Sequence, residues 1–415
     1  MPEGDEDCTL PALLTPEAVR RRCNALLEIG LGEGLGGGLE HFAVNLNALE
    51  KATDLVEAVT RETYPDGQIP LHSRWRHFEF GDLDLWAQLS HALPGLDVHE
   101  RARTRFDLAV GSVLLDAGAG PDWVYGDNAT GLRMSRSEGL AIASFRMFAG
   151  GSLGGTPEAP KLDGASLAQL TVPELAAGFQ VSPDNPLIGM ENRVDILNRL
   201  GDALAARPDV FGNEGGRVGQ LYDHLLERSR GGVLPAREIL LALLELFGRI
   251  WPAGLQIGGL ALGDIGRHSK LKRSDETDEL VPFHKLSQWL AYSLVEPLWE
   301  AGIEVVDLDA LTGLAEYRNG GLFIDTGVLE LRSPDLAEEP LAVGSEPIVE
   351  WRALTVALLD RLADALRQRL GQTKEELPLV KVLQGGAWTA GRRIAAEMRD
   401  GGAPPLQIQG GGAVF

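Results

Sequence analysis

The stretch Leu260–Glu296 reads LALGDIGRHSKLKRSDETDELVPFHKLSQWLAYSLVE, and its second half decides the fold class. At about 100° per residue, Phe283, Leu286, Leu290 and Leu294 of Val281–Pro297 share one helical face. Lys285, Gln288, Tyr292 and Glu296 cluster on the opposite one. A free surface seldom carries two large aromatics, so Trp289 and Tyr292 predict that the polar face walls a pocket rather than meeting solvent. The first half sets one carboxylate, Asp264, among apolar residues and Gly258, Gly259, Gly263 and Gly266. Arg267, His268, Lys270, Lys272 and Arg273 follow at once. A basic cluster beside a secluded acid predicts a site for an anionic small molecule.

Outward from this stretch the helical spacing persists. Thr15-Pro16-Glu17 joins an N-cap hydroxyl, a proline at the first helical position and an acid in the first turn. Glu191–Ala206 sets Val194, Leu197, Leu200 and Leu204 on one stripe. Leu354–Leu370 repeats Leu354, Leu358, Leu362 and Leu366 before Gly371, a helix-ending glycine. Alternating strands are few: Gly302–Leu308 and a hairpin-like Gly321–Leu331. The pattern predicts a mainly α protein with a few short strands. An N-terminal helical part (1–70) is expected to pack on a helical catalytic domain (71–415).

The chain has 415 residues, 44% of them hydrophobic, enough for a sizeable core. Its 38 Lys and Arg against 60 Asp and Glu leave a net charge of −22. Such a surface repels nucleic acid and anionic membranes, so an anionic ligand must meet a local positive patch. Cys8 and Cys23 offer neither a disulfide framework nor a zinc pattern and suit a reducing cytosol. No apolar run reaches the roughly 18 residues of a membrane span, and the acidic N-terminus lacks a secretory signal. A cytoplasmic protein without nucleic-acid or membrane partners is expected. A homo-oligomer is compatible with the sequence but not dictated by it.

Several motifs carry two readings. Gly32-Glu33-Gly34-Leu35-Gly36-Gly37 matches the dinucleotide fingerprint formally, but a helical pattern precedes it where a strand is required, which favours a turn. No Walker lysine supports ATP. The eight histidines include no His-Glu-x-x-His pair, so neither a metal nor a cofactor is expected. His77-Phe78-Glu79-Phe80-Gly81-Asp82 could stack on a ring or anchor an acidic turn. Asp116 closes an apolar helix (Phe106, Val110, Val113, Leu114) and opens Ala-Gly-Ala-Gly-Pro-Asp-Trp123. An acid at the negative end of a helix dipole is poorly placed for structure, which points to function. Glu350-Trp351-Arg352 could be a structural ion pair or a site acid held by an arginine.

Taken together, His77-Phe-Glu-Phe-Gly-Asp82, Leu114-Leu-Asp-Ala-Gly-Ala-Gly-Pro-Asp-Trp123, Ser135-Arg-Ser-Glu-Gly-Leu-Ala141, Leu262-Gly-Asp-Ile-Gly-Arg-His268, the Val281–Leu294 segment, Glu316-Tyr-Arg-Asn-Gly-Gly-Leu-Phe323 and Glu350-Trp-Arg-Ala353 resemble the uracil-catabolism family of fungi and bacteria. Its members serve a urea-releasing route of pyrimidine degradation. Gly266 stands where that family is expected to carry a bulkier residue, and Gly30–Gly38 is peculiar to this chain. The order of segments is also similar to that of queuosine-phosphate salvage glycosidases, which cleave a ribosyl bond on a helical, DNA-glycosylase-like core. Leu115–Trp123, Pro186–Arg193, Gly263–Ser269 and Glu350–Ala353 carry this second resemblance.

The resemblances imply an N-glycoside hydrolase that cleaves ribosylurea, as its 5′-phosphate, to urea and ribose phosphate. Asp264 is then expected to stabilise the oxocarbenium-like state, with Asp116 as second carboxylate. His268 or His284, or an acid of raised pKa, would protonate the leaving nitrogen. Arg267, Lys270 or Lys285 would hold the phosphate. Gln288, Tyr292, Glu191, Arg193, Glu350, Arg352, Trp123 and His77 complete the expected substrate-binding set. A phosphorylated riboside is the expected partner. Two alternatives stay open: a hydrolase or deaminase acting on an earlier ring-opened pyrimidine, and a non-catalytic nucleotide-binding protein.

Overall fold

A computed structural model describes residues 8–32, 38–93, 95–213, 215–251 and 254–409. The turn 33–37, and with it most of the formal dinucleotide match, lies outside the described residues. The protein is mainly helical, with strands of two to four residues paired in two-stranded ribbons. No described helix is long and apolar enough to cross a membrane.

The helix starts read from the sequence hold where a cap is present. Thr15 Oγ1 accepts the Ala18 amide at 3.1 Å, and the helix Pro16–Leu31 follows. It packs along the long helix Glu346–Leu370, and both contribute to one hydrophobic core that also takes in Leu406. Gly371 ends the long helix with φ +66°, a left-handed turn that glycine adopts without steric cost. The striped segment Glu191–Ala206 is the helix Met190–Ala205. Glu304–Val306 is a strand, paired in parallel with Val233–Pro235.

Three expectations change. The long helix begins at Glu346, so Glu350, Trp351 and Arg352 lie within its first two turns instead of ahead of it. Residues Leu280–Pro282 are a strand paired with Ile265–Arg267, and the helix opens only at Lys285. Between them His284 takes a left-handed φ of +48°, and the amides of Phe283 and His284 both donate to the Asp264 carbonyl, at 3.0 and 3.2 Å. Gly321–Leu331 is not a hairpin. The Glu316 carboxylate accepts the Arg318 and Asn319 amides at 2.9 and 2.6 Å and so nucleates the helix Tyr317–Asp325. Only Leu329–Leu331 is extended, and it pairs with Phe42–Val44.

Gly266 has a packing reason. A Cβ there would stand 2.5 Å from Val349 Cγ2 of the long helix, so the Ile265–Arg267 strand reaches that helix only without a side chain. Gly266→Ala is expected to cost about 1–3 kcal/mol through overpacking, read as a lowered denaturation midpoint with an unchanged slope.

Candidate functional site

A cavity of about 1270 Å³ gathers residues from segments far apart in the chain. The loop after the helix Val98–Leu114 brings Asp116 to Pro121. The short turn Arg74–Phe78 brings Arg76 and His77. Lys285 and Trp289 come from the first two turns of one helix, and Glu316 from the cap of another. Gln384 comes from the turn Leu383–Ala387, and Trp388 and Arg392 from the helix Trp388–Met398.

Asp116 is the most suggestive group. Its Oδ2 lies 3.1 Å from Nη1 of the fully buried Arg74, which offsets the poor placement at a helix C-terminus. Its Oδ1 is buried and has no hydrogen-bond partner among the described residues. Arg74 Nη2, His77 Nδ1 and Trp289 Nε1 are in the same condition, and Arg74 lies 5.6 Å from the centre of the Trp289 ring. Buried polar atoms are almost always satisfied in a folded protein, so three orphans on the cavity wall, with Arg74 beside Asp116, make this the candidate place for a polar ligand.

Lys285 supplies a cation. Its ammonium makes no hydrogen bond with the described residues; it meets Glu316 and Asp116 through charge. Burial pulls its pKa below the ordinary lysine value, against those two acids. Burial lifts the Glu316 carboxyl above the usual carboxylate range, although it accepts two backbone amides. Further out, exposed Arg133 and Arg136 line the cavity, together with Arg392, which pairs with Glu138 of the same lining at 3.5 Å and lies 5.7 Å from the Trp388 ring. A positive mouth over a floor of acids, one lysine and aromatics suits a phosphorylated, polyhydroxylated molecule.

The structure distributes the expected residues unevenly. Asp116, Lys285 and His77 meet at the cavity. Asp264 does not line it. Arg352 holds its two oxygens at 2.8 and 2.7 Å, and the Lys285 amide donates to Oδ2 at 3.0 Å. Burial resists its ionisation, but the Arg352 guanidinium and the Lys285 amide outweigh burial and keep the carboxyl below its ordinary value. Arg352 in turn stacks 4.0 Å from the Phe283 ring. This pair joins the long helix to the first turn of the helix that carries Lys285.

Gln288 and Tyr292 lie away from the cavity. The Gln288 side chain bonds Thr312, its Oε1 accepting the Thr312 amide at 2.8 Å, and the Tyr292 hydroxyl donates to the Thr312 carbonyl at 3.0 Å. Their helix is buried on both faces, so the amphipathic pattern marked two internal contacts, not a pocket wall. The cavity face is that of Lys285 and Trp289, one turn apart.

His268 and Glu350 form a buried pair at 2.8 Å, and Glu350 Oε1 also accepts the Phe42 amide at 2.8 Å. His284 Nε2 bonds the Leu13 carbonyl at 3.0 Å. Trp123 is buried against Phe179, and its Nε1 donates to the Phe179 carbonyl at 3.0 Å. Arg193 braces the Asp116 loop by donating to the carbonyls of Leu115, Ala117 and Gly118 at 3.2, 3.0 and 3.2 Å. Glu191 and Arg267 are exposed.

The basic cluster is neutralised locally. Lys270 pairs with Glu40, Lys272 with Glu279, and Arg273 with Asp275. Residues 270–279 fold against the N-terminal segment, where the Leu10 amide donates to Glu276 at 2.9 Å and Arg22 to Thr277 at 2.7 Å. They do not line the cavity.

His72, Arg74 and Glu316 were missed as individual site residues. Glu316 stood in a quoted motif, whereas His72 and Arg74 lie just upstream of one and have no periodicity of their own. His77 gives a pH prediction. Burial, helped by Arg74, His72 and Arg76, holds its pKa well below 6.5. The unfolded chain therefore binds its proton first as pH falls, and stability contributed by the neutral ring is lost below about pH 6.5. Relative to His77→Gln, the wild type is expected to lose about 1.4 kcal/mol more per pH unit in that window. Urea denaturation of both proteins at stepped pH checks this; parallel curves would refute it.

The chain belongs to the family described as "Protein of unknown function (DUF1688)", whose pattern matches residues 12–415. It is 38% identical to "Uracil catabolism protein 4" of Lachancea kluyveri, over 90% of this chain and 92% of that one. It is 37% identical to "Protein urg3" of Schizosaccharomyces pombe, over 98% and 99% of the two chains. A shorter likeness, 38% over 81 residues, joins 19% of the chain to 22% of "Queuine tRNA-ribosyltransferase" of Pseudomonas syringae.

Proposed function

We propose that this protein is an N-glycoside hydrolase of pyrimidine breakdown that cleaves ribosylurea 5′-phosphate to urea and ribose 5-phosphate. The pathway comes from the name of the Lachancea relative, with which the chain shares nearly its whole length. The observation that carries the reaction is the unpartnered, buried Oδ1 of Asp116 at the cavity wall. Cleavage of an N-glycosidic bond leaves positive charge on the anomeric carbon and ring oxygen. A carboxylate with one oxygen anchored by Arg74 and the other bare is built to meet that charge.

The remaining groups take complementary parts. Water attacks the anomeric carbon as the bond to nitrogen breaks, and the leaving urea nitrogen needs a proton. Glu316, whose proton affinity burial raises, is the acid we assign to that transfer, and the carboxylate it becomes takes up the proton that the attacking water loses. His268 and His284 are engaged elsewhere and do not line the cavity. Lys285, with Arg136 nearer the mouth, is assigned to the phosphate.

The test is urea release by the purified protein from ribosylurea 5′-phosphate, with ribosylurea and uridine monophosphate alongside. Urea from the phosphorylated compound alone supports both the reaction and the anion site. Urea from both ribosylureas keeps the reaction and removes the phosphate role. No urea from any of the three, with the protein folded, overturns the proposal.

A further inference from the structure

The C-terminal helical region contains one π turn, Leu383–Ala387, between Leu379–Val382 and Trp388–Met398. A π turn inserts an extra residue and re-aims the side chains around it, and such turns recur at functional sites. Here Leu383 and Gln384 line the cavity. The Gln384 amide bridges two residues. Its Nε2 donates to the Tyr64 hydroxyl at 3.0 Å, and its Oε1 lies 3.0 Å from His72 Nδ1.

An amide side chain has one donor end and one acceptor end. In the orientation seen here Nε2 faces Tyr64 and the acceptor Oε1 faces His72, an arrangement that is satisfied when Nδ1 carries the hydrogen. A neutral imidazole has only one N–H, which leaves Nε2 as a bare lone pair. Burial favours the neutral ring. His72 is only 9% exposed, lines the cavity, and is fixed by its own amide, which donates to the Val380 carbonyl at 3.2 Å. Its ring sits 6.4 Å from that of Trp289 and 6.5 Å from that of Trp388. Nε2 makes no hydrogen bond with the described residues.

We infer that Tyr64 and Gln384 are positioning residues that hold His72 in the Nδ1–H tautomer, so that Nε2 accepts an N–H of the ligand's leaving group. In the reaction proposed above that donor is the terminal amino group of the urea. The choice of ligand rests on that proposal; the tautomer does not. The arrangement selects leaving groups that present an N–H and disfavours those that present a carbonyl oxygen, because two acceptors would then face each other.

Long-range ¹H–¹⁵N spectra of protein labelled at histidine nitrogen test both parts, with His72 assigned by its loss in His72→Gln. The expected spectrum of the free protein shows a protonated Nδ1 and an unprotonated Nε2. A protonated Nε2 overturns the inference whatever the activity. Addition of ribosylurea 5′-phosphate is expected to shift the Nε2 signal; binding that leaves it unmoved, or no binding at millimolar concentration, also overturns it. Tyr64→Phe, outside the cavity lining, is expected to mix the two tautomers and to raise KM about tenfold with little change in kcat. A single retained tautomer with unchanged KM would remove Tyr64 and Gln384 from the role. If Nε2 shifts on binding but no urea is released, the inference stands and the hydrolase proposal falls.

Discussion

Asp116→Asn is expected to lower the rate of urea release from ribosylurea 5′-phosphate by about a thousandfold, the scale of losing one preorganised charge at a developing cation. The amide keeps the shape of the side chain and still offers an oxygen to Arg74. It cannot neutralise charge on the anomeric carbon. The substitution also leaves the Arg74 guanidinium without its counter-charge, and burial already depresses that group's pKa. A loss of stability therefore accompanies the loss of rate, and the two must be separated. Turnover should be measured well below the melting temperature, with the folded fraction read by circular dichroism and rates given per folded molecule. A folded variant that turns over within a few-fold of wild type would remove Asp116 from the chemistry.

The second large effect concerns Asp264 and is one of stability. Its carboxylate is held in bidentate fashion by Arg352 and capped by the Lys285 amide. Removing one member of a buried pair strands the other, and Asp264→Ala is expected to cost about 3–5 kcal/mol. The pH dependence has a definite sign. The folded-state pKa lies below the ordinary carboxylate value, so the pair's stabilisation is present above about pH 4, the unfolded pKa, and is lost as pH falls through the folded one. Chemical denaturation of Asp264→Ala at neutral pH and at stepped acid pH should show a lower midpoint that no longer responds to this titration. Turnover per folded molecule should stay close to wild type. A roughly hundredfold loss in rate with the fold intact would instead return Asp264 to the reaction.

These two aspartates show how far a pattern reaches. Both stood out in the sequence, each as a carboxylate where local structure gave no reason for one. Seclusion was the right inference for Asp264, but its partner sits 88 residues away on the long helix, and no local pattern shows which acid an arginine neutralises. Lys270 is a similar case, for its partner Glu40 is 230 residues upstream, whereas Lys272 and Arg273 meet Glu279 and Asp275 of the same stretch. The helix Lys285–Glu300 was misjudged for a related reason. Amphipathic spacing separates two faces, but when neighbours cover both, polarity marks internal hydrogen bonds such as those to Thr312 and not a boundary with ligand.

The mainly helical class, the helix starts at Pro16 and near Met190, and the glycine stop at Gly371 were decided by local pattern, because caps and apolar stripes act over a turn or two of chain. Asp116, Lys285 and His77 were also singled out there, and the fold sets all three on one cavity. Tertiary structure alone decided which charges remain available. Asp116, Lys285 and Glu316 converge from three distant segments, while Asp264, Lys270, Lys272 and Arg273 are paired within the fold. The physical reason is that a charge's chemistry depends on the dielectric around it and on the partners it has already met, and for Asp116, Asp264 and Lys270 those partners come from segments far apart in the chain.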